Sequence, residues 1–185
     1  MHCKLKRLGQ EKRSVPMPAT LAYICLGSNT PDAAARMDAA LQGLRGLPHA
    51  GLRVVSPRYE TEPQDYADQP WFLNQIAALA LTDDFWTPEE LLRALLDLEQ
   101  RLGRVRSPDP ALRYGPRAID IDLLLYGEER RATEFCTLPH PRMTQRAFVL
   151  LPLRDVAPDL LIDGRTAAGH LEKLRWHCEG YRIFQ

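Results

Sequence analysis

Two aspartates stand inside an otherwise apolar run, Ala118-Ile119-Asp120-Ile121-Asp122-Leu123-Leu124-Leu125, and this segment constrains the fold more than any other. It reads as a strand from Ala118 to Tyr126. Side chains alternate across a strand, so Asp120 and Asp122 share one face, about 6 to 7 Å apart along the chain. Ile119, Ile121, Leu123 and Leu125 fill the opposite face. Two like charges held side by side repel, and leaving them unpaired in a sheet is costly. A divalent cation resolves the conflict, and hard oxygen ligands with a phosphate partner suit Mg²⁺. Solvation of that face, or pairing with arginines nearby, answers it as well.

The rest of the chain supplies the sheet and its cover. Leu21 to Leu26 reads as a buried strand, closed by the turn Gly27-Ser28-Asn29-Thr30-Pro31. Arg36 to Leu47 carries Met37, Ala40, Leu41, Leu44 and Leu47 at helical spacing. Leu52–Tyr59 and Phe72–Leu81 read as strands separated by the polar loop Glu60–Pro70. Thr87-Pro88-Glu89-Glu90 has the cap and first-turn acids of a helix start, and leucines from Leu91 to Leu102 line that helix. Thr144–Val156 predicts a third helix, interrupted or ended near Pro152, and His170–His177 a last short one. The order strand, helix, two strands, helix, strand matches the split β-α-β pattern of ferredoxin-like folds. The expected class is α+β: an α/β sandwich with helices covering one face of a mainly antiparallel sheet.

At 185 residues the chain fits one domain with a real core, expected over residues 20–185. Met1 to Pro18 carries five basic residues and one acid and lacks the apolar stretch of a secretory signal. Residues 1–19 are therefore expected to form a disordered tail, with Met17 as a second candidate start. Lys plus Arg and Asp plus Glu number 24 each, so no global field draws nucleic acid or a membrane surface. A polyanion must be gripped by a local basic cluster. No apolar run reaches the ~20 residues that span a bilayer. Cys3, Cys25, Cys136 and Cys178 are scattered and form no Cys-x-x-Cys pair, which fits free thiols in a reducing cytoplasm.

That local cluster lies just upstream of the paired acids. The loop from Arg104 to Arg117 holds four arginines (Arg104, Arg106, Arg113, Arg117) and three prolines. Guanidinium forks bind phosphate oxygens bidentately and stabilise charge that develops in phosphoryl transfer. A basic loop leading into metal-ready carboxylates is, by its chemistry, a nucleotide-phosphate site. There is no Walker loop and no Gly-rich dinucleotide fingerprint.

The segment Arg113-Tyr114-Gly115-Pro116-Arg117-Ala118-Ile119-Asp120-Ile121-Asp122-Leu123-Leu124 resembles, at all twelve positions, the signature of 6-hydroxymethyl-7,8-dihydropterin pyrophosphokinases. Further pieces agree in order: Ala22-Tyr23-Ile24, Gly27-Ser28-Asn29, Gln69-Pro70-Trp71-Phe72-Leu73-Asn74, Gly103-Arg104-Val105-Arg106 and Pro139-His140-Pro141-Arg142-Met143. The resemblance implies transfer of pyrophosphate from ATP to the pterin in folate biosynthesis, with AMP released. It implies that Asp120 and Asp122 hold two Mg²⁺ ions and that Arg104 and Arg117 steady the transferred group. By the same resemblance Glu99, Arg106, Arg113, His140 and Arg146 contact ATP. Phe72 and Phe148 would sandwich the pterin, and Thr61 and Asn74 would read its polar edge. The implied partners are small molecules, with no nucleic acid, membrane or obligate protein partner. From this length a single activity is expected, without a fused barrel enzyme. Two other readings are a ferredoxin-like nucleic-acid binder and an inactive pterin- or nucleotide-binding regulator. Intact acids and loop arginines speak against the second.

Overall fold

The structure, a computed structural model, describes residues 20–63, 69–82, 85–104 and 117–185. The elements run β1 (Thr20–Ser28), α1 (Ala33–Arg45), β2 (Ala50–Val55), β3 (Tyr59–Thr61), β4 (Phe72–Leu81), α2 (Pro88–Arg101) and β5 (Asp120–Tyr126). Beyond these come β6 (Arg131–Ala132), β7 (Thr137–Leu138), α3 (Ala147–Val156), β8 (Leu161–Ile162) and β9 (Arg165–Thr166). The last elements are α4 (Ala167–Leu171), β10 (His177–Glu179) and β11 (Arg182–Phe184). The expected N-terminal tail lies outside the described residues.

Alternation along β1 sends Ala22, Ile24 and Leu26 into one core and Tyr23 and Cys25 into the other. A strand apolar on both faces belongs in the interior of a sheet. β1 accordingly runs between β4 and β5, antiparallel to both. The main sheet has the order β10-β11-β3-β4-β1-β5, with β2 also pairing to β4. The mixed class and the mainly antiparallel sheet are as expected, and only β11 and β3 pair in parallel among these strands.

Helices cover both faces of the sheet, not one. Met37, Leu44, Leu91 and Leu95 of α1 and α2 join the core under Ile24 and Ile121. Val149, Leu150, Leu151 and Leu153 of α3 join the opposite core, together with Leu171 of α4. Burial around most of α3 is the signature of a helix packed on two sides. Each fully buried leucine contributes about 1.5–3 kcal/mol relative to exposure.

The element starts follow local chemistry. At α2, Thr87 Oγ1 accepts from the Glu90 amide at 3.2 Å and the Thr87 amide donates to Glu90 Oε2 at 2.9 Å, a closed capping box. The strand expected over Leu52–Tyr59 is broken, because Pro57 has no N–H to give a ladder. Ser56 bridges the break: its Oγ accepts from the Ile76 amide at 3.0 Å and its carbonyl accepts from Gln75 Nε2 at 2.6 Å. The third helix starts at Ala147 after a 3-10 turn at Met143–Gln145, and it runs through Pro152. The expected helix over His170–His177 is instead the short α4 followed by a hairpin, with Gly180 at a φ of 60° in its turn. Leu125 also departs from expectation. A bulge between Tyr23 and Ile24 in the β1–β5 register turns it into the α3 core, away from Ile119, Ile121 and Leu123.

Candidate active site

One end of β1 gathers the site. In the sheet register Gly27 lies between Asn74 of β4 and Asp120 of β5, and Cys25 lies beside Asp122. Because strands alternate, Cys25, Gly27, Asn74, Asp120 and Asp122 share the α3 side of the sheet. Gly27 leaves room there: a Cβ would sit 3.0 Å from Asn74 Oδ1, and Asn74 would have to give by a few tenths of an ångström.

A cavity of about 140 Å³ opens over these residues. Its lining includes Arg117, Asp120, Asp122, Arg142 and Arg146, and also Thr61, Glu62, Phe72, Asn74 and Phe148, with Cys25, Gly27 and Gln69 completing it. Thus Arg117, Asp120, Asp122, Arg146, Thr61, Phe72, Asn74 and Phe148, drawn from distant stretches of sequence, meet in one place. Phe72 and Phe148 are half-buried, and the Arg146 guanidinium carbon lies 5.3 Å from the Phe148 ring centre. Asn74 Nδ2 donates to Thr61 Oγ1 at 2.6 Å, a buried bond that fixes both side chains.

The carboxylates differ in environment. Arg104 Nη2 lies 3.2 Å from Asp120 Oδ1, and Arg117 Nη1 donates to Asp120 Oδ2 at 2.7 Å. Asp120 is therefore paired with both expected catalytic arginines. The Asp122 carboxyl is pushed above its usual range, first by burial and then by the charge of Asp120. His140, Arg146 and Arg117 oppose that push. Among the described residues, burial and the Asp120 charge together outweigh these cations at Asp122, and a divalent cation would favour its charged form. All-oxygen donors fit Mg²⁺. Among the described residues no group of three or more His, Cys, Asp and Glu side chains forms a metal cage.

His140 is anchored by its amide, which donates to the Leu124 carbonyl at 2.9 Å, and its Nδ1 accepts from the Arg142 amide at 3.3 Å. Burial, then Arg146 and Arg142, hold its imidazole below the ordinary range, while Asp122 pulls the other way. The Cys25 thiol is pushed strongly upward by burial and by Asp122, which makes it a neutral part of the wall. Glu99 is only 3% exposed and does not line the cavity. Its Oε1 accepts from the Ile121 amide at 2.7 Å, tying α2 to the strand between the two acids. Arg106 and Arg113 lie outside the described residues.

Several lining residues were missed in the sequence. Gln69 and Arg142 lie within the quoted motifs, and Glu62 follows Thr61 directly. Asn29 is the larger omission, because it clamps the site's loops. Its Oδ1 accepts from the Arg117 amide at 2.6 Å, and its Nδ2 donates to Gln69 Oε1 at 3.0 Å and to the Pro70 carbonyl at 3.3 Å. Among the described residues, the other histidines serve packing: His49 stacks on Phe85, His170 bonds the Ile162 carbonyl and His177 stacks on Phe184. Among the described residues Cys25, Cys136 and Cys178 are free thiols.

The family model described as 7,8-dihydro-6-hydroxymethylpterin-pyrophosphokinase (HPPK) matches residues 23–158. The chain belongs to this family. It is 46% identical over 157 residues to the 2-amino-4-hydroxy-6-hydroxymethyldihydropteridine pyrophosphokinase of Methylorubrum extorquens, covering 84% of this chain and 94% of that one. It is 45% identical over 157 residues to the protein of the same name from Pseudomonas aeruginosa, covering 84% and 90%. Among solved structures, the chain superposes on Plasmodium falciparum HPPK-DHPS with a TM-score of 0.60 at 16% identity. That match covers 83% of this chain and 43% of the Plasmodium chain, and supports the HPPK fold alone. Among the described residues no helix is long and apolar enough to cross a membrane.

Proposed function

We propose that this HPPK-family chain transfers the terminal pyrophosphate of ATP to the hydroxymethyl group of 6-hydroxymethyl-7,8-dihydropterin, releasing AMP, as a step of folate biosynthesis. The observation that carries the reading is a single cavity lined both by the acid pair with arginines and by aromatic rings beside a fixed polar pair. The first set suits polyphosphate and the second a flat heterocycle with a hydrogen-bonding edge. Relatives 45–46% identical over nearly their whole length carry the pyrophosphokinase name, which supports the same conclusion.

In this reading Asp120 and Asp122 would hold two Mg²⁺ ions, which would supply charge neutralisation to the phosphates. Arg117 and Arg104, both poised on Asp120, steady the transferred group. Arg146 and His140 contact ATP, as do Arg106 and Arg113 of the loop. Glu99 acts through the backbone of Ile121, positioning the two acids. Phe72 and Phe148 flank the pterin, and the hydrogen-bonded pair of Thr61 and Asn74 presents a fixed edge to it. Catalysis then rests on positioning and on charge stabilisation. Residues 20–185 form one pyrophosphokinase domain that works in the cytoplasm on small molecules.

The test is to incubate the protein with ATP, Mg²⁺ and 6-hydroxymethyl-7,8-dihydropterin and to separate the nucleotides. AMP that appears only with pterin and metal together is the expected result. ADP, or no nucleotide product from folded protein, would overturn the reading. The metal count is tested by titrating Mg²⁺ into protein loaded with a non-hydrolysable ATP analogue, where two equivalents are expected.

A further inference from the structure

The hairpin of β10 and β11 and Gln185 behind it lie beyond residue 158, where the family match ends. They nevertheless touch several elements that wall the cavity. β11 pairs with the outer edge of β3, placing Ile183 beside Thr61. The Glu60 amide donates to the Tyr181 carbonyl at 2.8 Å, which seats the other end of that short strand. Phe184 meets Trp71 edge-on at 5.2 Å between ring centres, one residue before Phe72.

Gln185 joins three points at once. Its amide donates to Glu62 Oε1 at 2.7 Å. Its side-chain Oε1 accepts from the Ala147 amide at 2.6 Å, and its Nε2 donates to the Gln145 carbonyl at 2.7 Å. Arg146, at the N-cap position of α3, makes no side-chain cap bond, so Gln185 supplies the acceptor that the first turn requires. Phe148 is the next residue of that turn. Thr61, Glu62, Phe72 and Phe148 all line the cavity, and each is held directly or through a neighbour by residues 181–185.

We infer that Gln185 and the β10–β11 hairpin are positioning elements for the pterin subsite, setting the spacing of its walls without touching the reacting phosphates. The inference rests on the pyrophosphokinase reading. Among the described residues no side chain of the hairpin lines the cavity, and its contacts and those of Gln185 run to β3, Glu62, Trp71 and the start of α3. Its effect falls chiefly on the pterin, with a smaller route to the nucleotide through Arg146, which lies between Gln145 and Ala147.

The test compares wild type with Gln185→Ala, Gln185→Glu and Phe184→Leu by calorimetry. Binding of 6-hydroxymethyl-7,8-dihydropterin is measured with Mg²⁺ and a non-hydrolysable ATP analogue present, and analogue binding is measured alone. Losing a net hydrogen bond in the cap should raise the pterin Kd about five- to tenfold in Gln185→Ala. Gln185→Glu keeps an acceptor for the Ala147 amide but loses the donor to the Gln145 carbonyl, so it should recover part of the loss. Phe184→Leu should weaken pterin binding severalfold at the wild-type analogue Kd, and Gln185→Ala should raise the analogue Kd by much less than the pterin Kd. Unchanged pterin affinity in Gln185→Ala and Phe184→Leu would overturn the inference alone, as would pterin affinity, analogue affinity and melting temperature falling in parallel. A wild type that binds the analogue and no pterin would overturn the pyrophosphokinase reading as well.

Discussion

Asn29→Ala tests whether the site depends on its loop clamp. The side chain is 1% exposed and makes bonds at 2.6, 3.0 and 3.3 Å to the Arg117 amide, Gln69 and the Pro70 carbonyl. A typical net hydrogen bond contributes about 1 kcal/mol, and a buried group stripped of its partner costs about 1–3 kcal/mol. The partners are only partly buried, so the lower end applies and the total comes to about 2–3 kcal/mol. For a chain of this size that corresponds to a fall of about 4–12 °C in melting temperature. Losing the Arg117 amide anchor also frees the guanidinium that bonds Asp120 at 2.7 Å. Misplacing such a group by about 1 Å can cost up to a hundredfold in rate, so kcat should fall about 10- to 100-fold. Asn29→Asp keeps the Oδ1 acceptor for the Arg117 amide and should retain more kcat than the alanine variant. Calorimetric melting and AMP release at saturating substrates read the two effects. Wild-type kcat and melting in Asn29→Ala would refute the clamp.

Other perturbations separate the parts of the site. Asp120→Ala or Asp122→Ala should nearly abolish AMP release while leaving the circular dichroism spectrum and melting cooperativity intact. Removal of Mg²⁺ by a chelator should stop turnover without unfolding the protein, because Arg104 and Arg117 already pair with Asp120. Gly27→Ala puts a methyl group 3.0 Å from Asn74 Oδ1, so the pterin KM should rise severalfold and the ATP KM should hold, both read by steady-state kinetics. At the α2 cap, bonds from the Thr87 amide and hydroxyl hold the Glu90 carboxyl below its usual range. A depressed folded pKa adds stability above the unfolded value, about 4.3 for a glutamate, and that stability disappears as pH falls through the folded value. The melting advantage of wild type over Glu90→Gln should therefore be present at pH 7 and fade in acid.

Much of this fold was legible because its signals are local. The apolar alternation around Asp120 and Asp122 needs only the two-residue period of a strand, and the α2 start needs only Thr87 and Glu90 three positions apart. What escaped depends on distant partners or on very short elements. Asn29 sits in an ordinary polar turn, and its bond to the Arg117 amide spans 88 positions. β10 and β11 hold three residues each, too few for any periodic pattern to emerge, and pairing with β3 is what makes them strands. Leu125 was assigned to the wrong face because one bulged residue inverts the alternation beyond it. The resemblance places Glu99 at the ATP, and its carboxylate also accepts from the Ile121 amide, a contact that no sequence spacing reveals.

The two faces of the sheet divide the work between stability and chemistry. The side packed by α1 and α2 is apolar from Ala22 through Leu26 and from Ile119 through Leu123, and the buried Glu99 of α2 is bonded to the Ile121 amide. The side packed by α3 starts the same way, with Tyr23, Ile76 and Leu124, and then gives way to Asn74, Asp120 and Asp122. Burying Asp122 beside Asp120 opposes folding, and the rise in its proton affinity registers that opposition. A strand with period two can carry both roles, since Ile119 and Ile121 bury into the first core while Asp120 and Asp122 face the second. The residues that hold β5 in place are therefore its own immediate neighbours. Close coupling of this kind lets the sheet keep two repelling acids in fixed positions before any ligand arrives, which is the preorganisation that phosphoryl transfer requires.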